Sequence, residues 1–88
     1  MLSHFQIKRT FNRISVTLYV DCEKKEAELM LKEGRLIRKS QPVVYRSVET
    51  PETAEAWLNH PVDVKDGQLG FLEYLDWCCA RQIGAFAA

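Results

Sequence analysis

Three cysteines, two histidines and a scatter of carboxylates are the residues in this 88-residue chain that could support chemistry. A thiol enzyme needs a base within hydrogen-bond reach of its cysteine and a group to stabilise the oxyanion. His4 and His60 are the only histidines, and nothing local brings His60 to Cys78 or Cys79. Cys22, Cys78 and Cys79 are odd in number and two are adjacent, a poor disulfide framework and a poor zinc-ligand spacing. They read as reduced, small core hydrophobes. Glu73 and Asp76, with Asp63 or Asp66 nearby, offer oxygen ligands to a hard cation, but the Asp63–Asp66 segment lacks the length and spacing of a calcium loop. No phosphate-binding glycine loop, serine elbow, zinc-protease helix or helix–turn–helix occurs. The expectation is therefore no catalytic residue, no metal, no cofactor and no enzymatic activity.

The elements that must position any site come from periodicity. Ile14, Val16, Leu18 and Val20 alternate with Ser15, Thr17 and Tyr19, which predicts a half-buried strand. Phe5 and Ile7 predict an edge strand pairing with it through a turn near Phe11–Arg13. Residues 22–33 are open to two readings. Strong helix formers, Asp21 as a cap and Gly34 as a stop predict a helix, with Lys24–Glu28 and Glu28–Lys32 as surface pairs. Alternation of Ala27, Leu29 and Leu31 predicts a strand, and the helix is favoured by a narrow margin. A short basic segment, 35–39, is then interrupted by Gln41-Pro42, and residues 43–48 read as another strand.

Thr50-Pro51-Glu52 is the clearest boundary, an N-cap, a first-turn proline and an acid at the positive helix end. The helix predicted over 51–59 turns Ala54, Trp57 and Leu58 inward, with Trp57 in the core. A second helix is predicted from Gly67, capped by Asp66, to about Ile83; glycines 67 and 70 could move its start to Leu69. Residues 84–88 read as a frayed tail. One domain spanning 1–88 is expected. Its fold class is α+β: a small, mostly antiparallel sheet of three to four strands covered on one face by two or three helices.

Net charge is zero, with 12 basic and 12 acidic residues, which excludes bulk-charge binding to polyanions. The halves differ, however: residues 1–48 hold ten Lys or Arg against five acids, and residues 49–88 hold two against seven. One reading interleaves them as ordinary solvated charge. Another keeps an acidic helical face that steers a basic protein partner. On it, Tyr74, Trp77 and Arg81 form a compact aromatic–guanidinium surface rimmed by Glu73 and Asp76, side chains favoured at interfaces. A third gathers Lys8, Arg9, Arg13, Arg35, Arg38, Lys39 and Arg46 into a phosphate-contacting strip, with Phe5, Phe11, Tyr19 or Tyr45 stacking on bases.

The order of sheet, proline-led tryptophan helix and second helix loosely resembles some very small phage-encoded inhibitors of CRISPR complexes. The likeness lies in architecture, without a residue motif, and implies a protein partner and no chemistry. The expectation is a cytoplasmic protein-interaction module, inhibitory or regulatory, with a charge-segregated surface. Self-association through the exposed sheet face is a further expectation. Nucleic-acid binding is the alternative. No apolar run approaches the roughly 20 residues that span a bilayer, so no membrane partner is expected.

Overall fold

Strand alternation organises the first half of the chain. In the computed structural model, which describes residues 3–64 and 67–80 (for 78–80 the backbone only), four strands form an antiparallel meander. They are β1 (His4–Phe11), β2 (Ile14–Asp21), β3 (Glu26–Glu33) and β4 (Leu36–Val43). Register places Ile7, Leu18 and Leu29 in one row across the sheet, and Phe5, Val20, Ala27 and Val43 in another. Partners directly opposite share a face, so these rows are the inner face, and the intervening rows face outward. Ile14, Val16, Leu18 and Val20 are all within 2% of complete burial. Each aliphatic side chain buried this way contributes about 1.5–3 kcal/mol of transfer free energy.

The inner face is closed by α1 (Pro51–Leu58) and α2 (Phe71–Ala80), through buried Ala54, Leu58 and Leu75. A second, two-stranded sheet, β5 (Val62–Val64) with β6 (Gly67–Leu69), connects the helices. This is the expected small α+β fold. Among the described residues no helix is long and apolar enough to cross a membrane.

The β1–β2 hairpin forms as expected, with Asn12 in the left-handed region (φ 55) that a two-residue turn requires. The α1 start also follows the sequence. Thr53 N donates to Thr50 Oγ1 (3.2 Å), Thr50 N donates to Thr53 Oγ1 (2.9 Å), and Pro51 occupies the first turn. Two unsatisfied amides are thereby answered reciprocally.

Four expectations change. Residues 26–33 are a strand and not a helix, because Ala27, Leu29 and Leu31 fill the inner face between two neighbouring strands. Ladder pairing and burial outweigh local helix propensity here. Asp21 caps a turn instead: its Oδ1 accepts from the amides of Glu23 and Lys24, each at 3.0 Å. Gly34 (φ 60) serves the β3–β4 turn and not a helix end. The pairs expected at helical spacing are lost, and Glu28 instead accepts a hydrogen bond from Ser40 on β4.

The strand expected over 43–48 is displaced to 36–43. Pro42 is tolerated there because β4 is the sheet edge, where a missing ladder donor has an open side. Beyond Val43 the chain must leave the sheet for the helical layer. Val44 is left 69% exposed, Tyr45–Ser47 form a short 3-10 turn, and Val48 is buried. The second helix begins at Phe71 and not at Gly67 or Leu69, since Gly67 (φ 146) and Gln68 pair with Val64 and Asp63. Finally, Trp57 is half-buried and lies against the core's margin, tilted on Phe71 with ring centroids 5.2 Å apart. The Asp66 cap, the helix end at 81–83 and the tail at 84–88 lie outside the described residues.

Candidate functional site

The α2 helix buries Leu75 completely, and that anchor fixes what its neighbours present. Tyr74 and Trp77, three positions apart on adjacent turns, are both half-buried. Their rings stack with centroids 6.2 Å apart and planes 15° apart. Tyr74 also packs against the core, so the stack rests on a rigid base. Glu73 beside it is exposed, and Asp76 is half-buried. Asn12 Nδ2 donates to Asp76 Oδ2 (3.2 Å), tying α2 to the β1–β2 turn. Four of the five expected docking residues thus share one helix segment. Arg81 lies outside the described residues.

The seven basic residues of the alternative reading do not share a face. Lys8 points outward from β1, whereas Arg9 points inward and pairs with Glu55 of α1. Lys39 lies on an inward row of β4, and Arg38 stands 3.8 Å from Glu33. Arg13 and Arg35 do come together at one end of the sheet, where Gly34 N donates to Arg13 O (2.9 Å). Arg46 lies beyond Val43, the other end of β4, and Val43 is itself about 23 Å from Leu36 at the ordinary strand rise. Of the expected base-stacking aromatics, Phe5, Phe11 and Tyr45 pack against the core, while Tyr19 is exposed on the outer face. The Arg9–Glu55 ion pair and the Asn12–Asp76 hydrogen bond join the basic half of the chain to the acidic half.

Cys22 is half-buried beside Tyr45, with its Sγ 3.9 Å from the Glu49 carbonyl oxygen. Burial, then the neighbouring Cys22 thiol, raises the Tyr45 hydroxyl above its ordinary pKa. His60 is exposed just past α1, and His4 is exposed next to Ser3. Asp63 accepts a hydrogen bond from Gln68 at 2.9 Å. Among the described residues, no three His, Cys, Asp or Glu side chains are placed to hold a metal ion.

One feature escaped the sequence reading. A groove of about 840 Å³ crosses one end of the sheet, reaching from His4 on β1 to Pro42 on β4. Its one advance signal was Tyr19, an aromatic residue on the polar side of an alternating strand. No protein-family model, curated protein or solved structure matches the chain, and the resemblance in element order gains no support from these comparisons.

Proposed function

We propose that this chain is a small non-enzymatic interaction module, inhibitory or regulatory in role, that docks a partner protein through the α2 face of Glu73, Tyr74, Asp76 and Trp77. The observation that supports this most is the Tyr74–Trp77 stack, half-buried and braced by buried Leu75. Two rings already packed together lose little freedom on binding, which lowers the ordering cost of association. Aromatic residues at such positions commonly dominate interface energetics. Glu73 and Asp76 beside them favour a partner with a basic surface, through encounter rate and orientation more than affinity. Arg81 extends the face by sequence.

The test is quantitative recovery of partner from native extract by wild-type chain, Trp77→Ala and Glu73→Lys. Trp77→Ala should lower recovery about 30-fold, the loss expected of a 2 kcal/mol hot spot. Glu73→Lys, at an exposed position, keeps the fold and should reduce recovery of a basic partner. Undiminished recovery by both variants contradicts the proposal.

Nucleic-acid binding is the second reading, favoured by the juxtaposition of Arg13 and Arg35. Its mark is affinity that falls steeply with salt. Flat or absent binding across a salt titration removes it.

A further inference from the structure

Among the described residues nothing covers the outer face of the sheet, and its groove lies between two outward rows. Tyr19, Glu28 and Pro42 stand on one wall, and His4, Asp21 and Glu26 on the other. The intervening row turns its side chains inward, leaving main chain as the floor. Three carboxylates against Lys25 and His4 make this end of the sheet acidic. Tyr19, 42% exposed, offers a ring face among them.

At the opposite end, the β3–β4 turn carries the reverse chemistry. Arg35 and Arg38 bracket Leu36 and Ile37, two aliphatic side chains 58% and 54% exposed. Isolated exposed aliphatic residues need no explanation, but Leu36 and Ile37, on opposite sides of a narrow, arginine-flanked hairpin tip, make both of its sides apolar. Tip and groove are separated by the length of β4, about 23 Å, so the tip cannot reach its own groove.

We propose that the groove of one copy receives the hairpin tip of a second copy, so that the chain associates head to tail. Arg35 or Arg38 lies over the Tyr19 ring between the carboxylates, as a guanidinium does on an aromatic face. Ile37, on the outer side of the hairpin, leaves water against the floor, while Leu36 lies on the opposite side. Because each copy offers a different patch to each neighbour, the contact is heterologous and grows into an open row unless its rotation closes a ring. A four-residue tip covers less than the roughly 1,200 Å² of a standard interface, so association is weak and appears at high protein concentration. The α2 face takes no part.

Sedimentation velocity on the full chain at low salt tests this. Wild-type mass should climb with concentration above the 10.2 kDa of one chain. A tip variant, L36S/I37S, and a groove variant, Y19S/E26Q, should each remain at one chain. Mixed in equal amounts, they should form pairs and nothing larger, because the one live tip fills the one live groove and both remaining ends are blocked. The proposal is overturned by wild type that stays monomeric, by either variant assembling alone, or by a mixture that stays monomeric. Should a circular dichroism melt show either variant unfolded, the charge-only pair R35Q/R38Q and E26Q decides by the same mixing pattern. Trp77→Ala should assemble as wild type does, which separates this contact from the α2 docking face; loss of assembly in that variant counts against the tip-and-groove assignment.

Discussion

Strands β2 and β4 have the same length and belong to the same sheet, yet they behave as opposites. Four alternate residues of β2 lie within 2% of full burial, whereas no residue of β4 is buried. β2 is paired on both sides and roofed by helices. β4 is paired on one side, bulges between Leu31 and Lys32 of its neighbour's register, and turns Lys39 and Gln41 to the inner face. Stability is thus concentrated in the centre of the sheet, and chemical variety is left to its edge. Charges, a proline and a bulge are the devices that keep an open strand from pairing indiscriminately, and β4 carries all three.

The sharpest way to break this contrast is to truncate one residue in each strand. Leu18→Ala in β2 should cost about 2–5 kcal/mol, and Ile37→Ala in β4 no more than about 0.5 kcal/mol. Urea denaturation measures both, and equal losses would refute the division. An intermediate effect is expected at the junction between sheet and helices. Thr50→Ala removes one side of the reciprocal cap of α1 and should cost about 1 kcal/mol in the same measurement.

The smallest effect concerns pH. The Tyr45 hydroxyl titrates above its ordinary value in the folded chain, so the folded state holds that proton more tightly than the unfolded one. Its contribution is complete below the unfolded pKa of about 10 and is lost as pH rises through the raised folded value. Stability should therefore decline above pH 10, and Tyr45→Phe should make that decline shallower. An unchanged alkaline slope in Tyr45→Phe would show that Tyr45 does not carry it.

The same contrast explains what could be read from the residues alone. β2 and the start of α1 were legible because each is specified locally, by strict alternation in one and by Thr50-Pro51 in the other. β3 was not, because glutamate, lysine and leucine favour a helix until two flanking strands make the alternation of Ala27, Leu29 and Leu31 decisive. β4 was displaced for a related reason. Its central inward positions are Lys39 and Gln41, so the apolar period is broken before Val43 and does not announce it, and Val44 marks its exit from the sheet. The helical spacing of Tyr74 and Trp77 was visible, but their stacking depends on Leu75 seating α2. The groove depends on strand register and had only Tyr19 to signal it.

The docking role assigned to α2 is tested most directly by comparing Trp77→Ala with Ile37→Ala in one quantitative recovery assay, after circular dichroism shows both folded. Loss of the captured partner with Trp77→Ala, and its retention with Ile37→Ala, is the predicted result. Equal recovery by Trp77→Ala and wild type would contradict it.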